Sequence, residues 1–509
     1  MPSAARGTAK TQAVTGSQEL IKPGKPRRRP WRPLRLSVLA GLLVTLGLIG
    51  FYLKFWVIDL DLWVHLRLGD WILDNLAFPH TGLFSRTAGN RPWIAYSWGY
   101  EVLFSRAYAW FGLIGVAVFE TLMILAVAYA FYWMIHRLSG RFWLSCLLAT
   151  VAGSAFLMPV FALRCCSVVL FIMTLTLILE ANRSGRLQLL YWLPLIFLVW
   201  ASLHIQFIYG IGVVGLFVTI NLLQRLGAFL GLAPRFLQPP TLPARPLAAI
   251  FAACLLATCL GPYSFHLYQE VYTLSKAKAA YTLVIELQPP DFGRYTHYAQ
   301  LLLAAAAFVA LGWKKQVDVF KLILLALASV VAFRTVRDSW FMCVTAAACI
   351  ADFPAPEATR DPAGTLSENL ALAAIVVLAL WLLAPIVDFN PSAVDRAVRR
   401  QLPVDAVEFL SENPRPGPLY NTFDWGNFLI WALPDYPVAI DGRTDLYGDQ
   451  MDERFALTAR GVSYQDDPYL NESRLILLQR KNILAKFLAV DPRFELIYQD
   501  RVAVVFARR

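Results

Sequence analysis

Long apolar runs are the feature that most constrains the fold of this chain. Between residues 36 and 388 they recur mostly at lengths of about 17 to 25 residues, which is the length needed to cross the hydrocarbon core of a bilayer. Hydrophobic residues make up 58% of the 509 residues and charged residues only 16%, whereas a soluble domain carries roughly 25% charge. We therefore predict a polytopic α-helical membrane protein rather than a large soluble helical enzyme.

The apolar runs divide the chain into three parts. Residues 1–33 form a basic tail rich in Pro, Gly, Ala and Thr, which predicts disorder; residues 34–389 form the membrane domain, and 390–509 a more polar segment. The number of apolar runs predicts about eleven membrane spans. They lie near residues 36–57, 110–135, 143–161, 166–181, 189–203, 206–224, 247–262, 298–312, 317–334, 338–352 and 370–388.

Basic residues are concentrated in alternate gaps between these runs. The chain has a net charge of +11, and nine basic residues precede or open the first span. The positive-inside rule then predicts a cytoplasmic N-terminus, with the net acidic gap 353–369 as the exception. Because the basic tail leads into a membrane helix, we expect anionic lipid headgroups and not nucleic acid as its partner. The other basic residues assigned to the inner side are Arg137, Arg141, Arg183, Arg186, Arg225, Arg235, Arg245, Lys314 and Lys315.

The same assignment gathers unusual polar residues on the outer side. Ionisable residues near membrane depth are costly and often mark a functional site, although side chains at helix ends also snorkel to the interface. The outer set comprises the loop 58–107, Arg164, His204, Gln206, the loop 263–297, Arg334, Arg337 and the segment after 389.

The stretch "VIDLDLWVHLRLGDW", residues 57–71, opens the first outer loop. Its apolar residues recur at steps of four and three, which predicts an amphipathic helix at the membrane interface. Asp61 and His65 lie four residues apart and so share a face of that helix. Asp59 precedes the helix and is either its N-terminal cap or a catalytic base.

The first outer loop resembles a known family. The pattern "DLDLWVHLRLGDWIL…PHTGLFS", followed by Trp98 and Glu101 before the second span, is similar to the GT-C superfamily of membrane glycosyltransferases, and in particular to a bacterial branch of it. The stretch "LYNTFDWGNFLIWALPDYPVAIDGRTDLYG" in the C-terminal segment also resembles that branch. The resemblance implies a GT-C fold of about eleven transmembrane helices with a C-terminal extracytoplasmic α/β domain at 390–509.

The resemblance also implies a reaction. Such enzymes transfer a sugar from a polyprenyl-phosphate donor to a glycan, lipid or protein acceptor on the outer face of the bacterial inner membrane. An aspartate of the first loop deprotonates the acceptor, and the anomeric centre inverts. By its distance to Pro79, Asp59 matches that aspartate best; Asp61 is the rival, with His65 in support. The family position that often holds Glu is Leu60 here, so no metal ligand is assigned and a divalent cation stays open.

A departing polyprenyl phosphate needs cations, because they stabilise the negative charge that develops on it. The candidates for this phosphate site are Arg334 and Arg337, then Arg164, then His204, although His204 is equally explained as an interhelical hydrogen-bonding residue. Candidates for the acceptor side of the cavity are Glu101, Trp98, Glu286 and Asp291.

The segment 390–509 has the pattern of a small α/β domain. Residues 393–412 predict helix, "GPLYN" and "YPVAIDG" predict short strands, and "FELIYQD" with "RVAVVFAR" predicts a closing hairpin. Asp441, Arg443 and Asp445 bind sugar hydroxyls or a cation, or else serve as turn and packing residues. The seven cysteines lie in or beside apolar runs and predict neither disulfides nor a zinc site.

Two functions of other classes remain open at this stage. A lipid-linked glycan flippase or other transporter would have symmetric halves and polar residues near the membrane midplane, and the sequence has no internal repeat. A non-catalytic membrane scaffold would present the C-terminal domain without chemistry. Loss of activity on changing the first-loop aspartate alone would distinguish an enzyme from both.

Overall fold

The structure is a computed structural model that describes residues 42, 47, 60–157, 162–232, 234, 236–277, 284–353 and 391–509. The predicted span 370–388 lies outside the described residues, as does nearly all of 36–57. Asp59 also lies outside them, so its structural role stays a prediction.

Eleven α-helices occupy the described part of the membrane domain. Three short 3₁₀ turns, Leu187–Trp192, Ile285–Leu287 and Val336–Asp338, interrupt the sequence of helices. The helices are α1 (Leu62–Asn75), α2 (Trp98–Ser139), α3 (Phe142–Leu157), α4 (Ala162–Ser184), α5 (Leu193–Leu203), α6 (Phe207–Phe229), α7 (Ala244–Thr258), α8 (His266–Lys276), α9 (Tyr295–Gly312), α10 (Val319–Arg334) and α11 (Ser339–Ala351).

The helix lengths confirm a multi-pass membrane protein but not the count of eleven spans. Among the described residues, four helices are long and apolar enough to cross a membrane: α2, α4 (from Leu163), α6 and α9. Three further apolar helices, Phe142–Ala155, Leu187–Leu203 and Ala244–Thr258, are shorter than a full span. The prediction for 189–203 merged a 3₁₀ turn with α5, and Pro194 stands at the start of that helix, where a missing N–H is tolerated.

The longest helix, α2, is broken at Gly112. That residue has φ 61° and ψ −152°, outside helical geometry, a conformation open to glycine because it lacks a Cβ. The first part of α2 packs against α1 at Gly69, where an added Cβ would lie 2.2 Å from the carbonyl oxygen of Glu101. Trp110 and Phe111, just before the break, are 71% and 69% exposed, as expected for aromatic residues at a membrane interface. The break coincides with the predicted start of the span 110–135.

The C-terminal segment contains a small mixed sheet, as predicted. Its strands are β1 (Leu419–Asn421), β2 (Leu475–Gln479), β3 (Phe494–Gln499) and β4 (Ala503–Arg508), in the order β1-β2-β4-β3. Strand β1 runs parallel to β2, and the other two pairs are antiparallel. The helices are α12 (Pro391–Gln401), α13 (Val404–Glu412), α14 (Phe423–Ala432), α15 (Thr444–Tyr447), α16 (Asp449–Ala459), α17 (Pro468–Glu472) and α18 (Ile483–Leu488).

The predicted strand "YPVAIDG" is wrong. Val438 forms a single parallel bridge to Ser85 of the first outer loop instead of joining the sheet. The backbone nitrogen of Arg86 donates to the carbonyl of Val438 at 2.8 Å, and the hydroxyl of Thr87 donates to the carbonyl of Ala439 at 2.5 Å. The extended backbone of this stretch thus fastens the C-terminal segment to the first outer loop.

Tyr263 fastens the second outer loop to the first. Its buried hydroxyl donates to the carbonyl oxygen of Pro79 at 3.0 Å and accepts from the backbone nitrogen of Ala95 at 3.2 Å. The two loops and the C-terminal segment therefore meet above the ends of the helices, and the residues predicted for the outer side converge there.

Candidate functional site

A cavity of about 320 Å³ lies where the two outer loops, the helix ends and the C-terminal segment meet. It brings together residues from six separate parts of the chain, which are 61–101, 163–164, 204–209, 271–287, 337–338 and 442–445. The predicted site residues that line it are Asp61, His65, Glu101, Arg164, His204 and Arg337. Its polar wall also includes Gln206, Asp338, Trp93, Tyr96, Arg443 and Asp445.

Asp61 stands at the N-terminus of α1 and does not cap that helix with its side chain. Its Oδ1 accepts a hydrogen bond of 2.8 Å from Nδ2 of Asn427 in α14. The Oδ1 atom of Asn427 in turn accepts from the backbone nitrogen of Gly442 at 3.0 Å. The carboxylate of Asp61 is thus oriented by the C-terminal segment, in the way that a second group orients a catalytic acid or base.

His65 lies one helical turn beyond Asp61 and faces the same cavity. Its Nδ1 atom is 3.3 Å from Oε1 of Glu101, a glutamate of α2 that is only 2% exposed. The ring of Tyr100 packs edge-on against the imidazole at 5.6 Å. The amphipathic helix predicted from the sequence therefore presents Asp61 and His65 together, because its period places residues four apart on one face.

Two arginines of the cavity share one carboxylate. Nη1 of Arg164 donates to Oε2 of Glu286 at 2.7 Å, Nη2 of Arg164 also bonds to this carboxylate, and Nη1 of Arg337 lies 3.8 Å from Oε1 of Glu286. Burial alone would raise the pKa of Glu286, but the two guanidinium groups outweigh it and lower that pKa. Glu286 is therefore an ion-pair partner of both arginines.

His204 is a neutral hydrogen-bonding residue at this site. It is 1% exposed, and its Nδ1 atom lies 2.8 Å from Oγ of Ser167. Burial, together with the charges of Arg337 and Arg164, holds the pKa of His204 well below its ordinary value. The imidazole lines the cavity and can bind a ligand there, but it adds no positive charge at neutral pH.

Gln206 and Asp338 form a second link beside the arginines. Nε2 of Gln206 donates to Oδ1 of Asp338 at 3.0 Å, and the hydroxyl of Thr335 donates to Oδ2 at 2.9 Å. Asp338 therefore accepts from two neutral donors, while the ion pair of Arg337 runs to Glu286.

Four predicted residues lie outside the small cavity. Arg334 ends α10 with an exposed side chain. Trp98 begins α2 and packs edge-on against Phe78, with ring centroids 5.2 Å apart. Glu286 and Asp291 line a larger cavity of about 1100 Å³ between the second outer loop and the C-terminal segment. Glu286 stands between the two cavities, because its carboxylate holds the arginines of the smaller one.

The C-terminal segment contributes more to the cavity than the sequence indicated. Nε and Nη2 of Arg443 donate to the two oxygens of Asp441, each at 2.8 Å, and Nη2 also donates to the carbonyl oxygen of Leu83 at 2.8 Å. The guanidinium lies 4.8 Å from the ring centroid of Trp93, whose Nε1 donates to Asp445 at 2.7 Å. The only sequence signal for this arrangement was the motif "IDGRTD".

The part of the chain that the structure describes holds no group of three or more His, Cys, Asp or Glu residues placed to bind a metal ion. Asp59 lies outside that part. A divalent cation bound with its help therefore stays an open prediction.

Comparison with solved structures decides the fold. The oligosaccharyltransferase AglB from Archaeoglobus fulgidus, in complex with an inhibitory peptide and a dolichol-phosphate, matches with a TM-score of 0.51 at 13% identity, over 87% of this chain and 69% of that chain. The apo form of that enzyme matches with a TM-score of 0.50 at the same identity and coverage. The chain has a GT-C fold.

ArnT from Cupriavidus metallidurans, bound to undecaprenyl phosphate, gives a TM-score of 0.47 at 13% identity over 92% of this chain and 97% of that chain. No protein-family model and no curated protein sequence matches the chain. The likeness to the two AglB structures confirms the GT-C fold that the first-loop motif predicted.

Proposed function

We propose that this protein is a membrane glycosyltransferase that moves a sugar from a polyprenyl-phosphate donor to an acceptor hydroxyl. One observation carries the proposal: a single cavity is lined by a first-loop carboxylate, Asp61, and by the two arginines Arg164 and Arg337. The dolichol-phosphate in the AglB complex, a lipid phosphate bound by a protein of the same fold, supports it.

The reaction is an inverting displacement. The first-loop carboxylate takes the proton of the acceptor hydroxyl, whose oxygen forms a bond to the anomeric carbon from the face opposite the phosphate. The bond between that carbon and the phosphate oxygen breaks, and its electron pair leaves with the polyprenyl phosphate. We assign this role to Asp61, the first-loop aspartate that lines the cavity, and Asp59 is the alternative that the family resemblance favours.

Arg337 and Arg164 stabilise the departing phosphate. Preorganised cations lower a barrier most where negative charge develops in a site with little water. Glu286 holds both guanidinium groups in place before the donor arrives. His204 contributes a neutral hydrogen bond at the same wall, and Arg334 takes no part in binding the phosphate.

The acceptor reaches the site through the larger cavity, past Asp291. The proposal leaves its chemistry as a glycan, a lipid or a protein hydroxyl, and leaves metal dependence open. We further propose that the protein lies in the bacterial inner membrane, with a cytoplasmic N-terminus and the C-terminal segment on the outer face. This orientation puts the gaps that carry the basic residues on the cytoplasmic side.

Two arginines three residues apart provide a matched test. Purified Arg337→Ala and Arg334→Ala variants are titrated with polyprenyl phosphate, and binding is followed by the rise in melting temperature. We expect Arg337→Ala to weaken binding about tenfold or more, as for a lost charge-assisted hydrogen bond, and Arg334→Ala to bind like the wild type. Equal loss in both variants, or no binding by the wild type, would overturn this assignment.

A further inference from the structure

Three residues of the small cavity each hold a buried polar atom without a hydrogen-bond partner among the described residues. The atoms are Oε2 of Glu101, Oε1 of Gln206 and Nη1 of Arg443. The three residues are only 2%, 6% and 6% exposed. Buried polar groups in native proteins are nearly always satisfied, so three exceptions around one cavity indicate a ligand that supplies the missing partners.

Other contacts hold each side chain in place. Glu101 is held through Oε1 by His65, and Gln206 through Nε2 by Asp338. Arg443 is held by Asp441 and by a backbone carbonyl of the first loop. Because Asp338 is an acceptor, the amide of Gln206 must turn its nitrogen toward that residue, which leaves its oxygen as the unpartnered atom.

The three atoms need a ligand that both donates and accepts hydrogen bonds. Glu101 and Gln206 present acceptors, whereas Nη1 of Arg443 presents a donor. A phosphate group accepts only and could satisfy Arg443 alone, and a polyprenyl chain satisfies none of them. Hydroxyl groups on a ring do both, because each carries one donor hydrogen and two lone pairs.

We propose that Glu101, Gln206 and Arg443 form the subsite for the sugar ring of the donor, and that this sugar is a single monosaccharide. The inference rests on the proposed function, since it names the part of the donor that the cavity holds. The volume of about 320 Å³ lies at the small end of ligand pockets, which range over roughly 300–1,000 Å³. It fits one ring beside the phosphate, which favours a monosaccharide over an oligosaccharide.

The subsite also gives the C-terminal segment a direct role in donor selection. Nη1 of Arg443 is the hydrogen-bond donor among the three atoms. Arg443 belongs to the C-terminal segment rather than to a membrane helix. The hydrogen bond of Trp93 to Asp445 fixes the same stretch against the first outer loop.

A comparison of bare and sugar-bearing lipids tests the subsite. Wild type and the Gln206→Met variant are titrated with bare polyprenyl phosphate and with polyprenyl phosphate carrying glucose, mannose or galactose. We expect the wild type to bind one sugar-bearing lipid more tightly than the bare lipid. Gln206→Met should lose about three- to tenfold in affinity for that lipid and keep its affinity for the bare one. Glu101→Gln serves as a second variant and should reduce the same difference.

The chain offers a matched control in Gln300. This glutamine of α9 is 1% exposed, donates through Nε2 to the carbonyl of Ala155 and has an unpartnered Oε1, but it does not line the small cavity. Gln300→Met should leave both affinities unchanged.

Four results would overturn the inference, and a fifth would remove the proposed function as well. An equal loss of affinity for the bare and the sugar-bearing lipid in Gln206→Met would assign that residue a general structural role. A higher KM for the acceptor with unchanged donor binding would place the acceptor's sugar at the subsite instead. Tight binding of a lipid carrying an oligosaccharide would remove the size limit. If the wild type binds neither lipid, the proposed function fails and this inference with it, whereas binding of both lipids with equal affinity overturns the subsite alone.

Discussion

Oδ1 of Asp61 accepts a hydrogen bond of 2.8 Å from the side-chain amide of Asn427, a residue 366 positions later in the sequence. The bond joins the first outer loop to helix α14 of the C-terminal segment at the wall of the small cavity. Trp63, two residues beyond Asp61, packs edge-on against Phe428 at 5.1 Å and so reinforces the same junction. The C-terminal segment is therefore a part of the candidate active site.

Replacing Asn427 by Asp tests whether this bond tunes the carboxylate. The substitution keeps the size of the side chain and the acceptor for Gly442, but it places a second carboxylate beside Asp61. A like charge raises the pKa of a carboxyl group, so we expect the acid limb of the kcat–pH profile to move up by about one unit or more. The same change at Asn413, which is exposed on the surface, should leave the profile unchanged. An identical profile for Asn427→Asp and wild type would count against Asp61 as the base.

Gly442 gives a steric test of the same contact. An added Cβ would lie 2.5 Å from Nδ2 of Asn427 and 2.9 Å from Oδ1 of Asp61. Gly442→Ala should displace that carboxylate and lower kcat by about a hundredfold, since misplacing a reacting group by about 1 Å has an effect of that size. Gly212→Ala in α6 is the control, because no atom lies within 4 Å of its added Cβ. Equal activity of the two variants would show that the position of Asp61 is irrelevant to the reaction.

Glu286→Gln should make the protein less stable and more responsive to phosphate. Removing one partner of a fully buried ion pair costs about 3–5 kcal/mol. The loss is smaller here because 22% of the Glu286 side chain is exposed, but two arginines lose their shared carboxylate. We expect a lower melting temperature without ligand and a larger rise on adding polyprenyl phosphate than in the wild type. The exposed residue Glu495 supplies the control variant Glu495→Gln, which should behave as wild type. If polyprenyl phosphate raises the melting temperature of Glu286→Gln less than that of the wild type, phosphate binding by Arg164 and Arg337 would be contradicted.

Asp452, a residue of α16 on the larger cavity, predicts how stability depends on pH. Burial and the nearby carboxylates of Asp449 and Asp445 raise its pKa to about 7, whereas an unfolded aspartate titrates near about 3.9. The folded protein therefore holds a proton that the unfolded chain has lost, and stability falls as pH rises from about 4 to about 7.

Asp452→Asn removes this effect. We expect the variant to be more stable than wild type at pH 8, by an amount on the order of 1.4 kcal/mol for each unit of pKa shift, and equally stable near pH 4. Melting temperatures at the two pH values measure it, with the exposed neighbour Glu453→Gln as control. A stability difference that is the same at both pH values would refute the raised pKa.

The local part of the site followed from the sequence. Asp61 and His65 share a face because the period of α1 depends only on neighbouring residues. The alternation of basic gaps, which reflects how membrane helices insert, grouped His204 and Arg337 on one predicted side, and the structure brings both to one cavity. Both arguments use information within about twenty residues of each position.

The long-range part of the site did not follow. Glu286 was considered for the acceptor side, but the structure pairs it with Arg164, 122 residues away. The sequence did not indicate a role for Asn427. A single hydrogen bond between distant segments produces no periodic pattern in the sequence of either segment. The stretch "YPVAIDG" has the composition of a buried strand, and extended backbone that pairs with a loop has the same composition. The short helix α11 likewise cannot be told from a full span by composition alone.

Sugar transfer by the purified protein tests the central proposal most directly. Wild type, Asp59→Asn and Asp61→Asn are reconstituted in lipid and incubated with radiolabelled polyprenyl-phosphate sugars and with glycan, lipid and protein acceptors. We predict that the wild type transfers one sugar and that Asp61→Asn, folded and still able to bind polyprenyl phosphate, does not. Loss of sugar transfer in Asp59→Asn alone would assign the base to Asp59 instead of Asp61, and the proposed reaction would be unchanged. Binding of polyprenyl phosphate by the wild type with no sugar transferred to any acceptor would contradict the enzyme and favour a transporter.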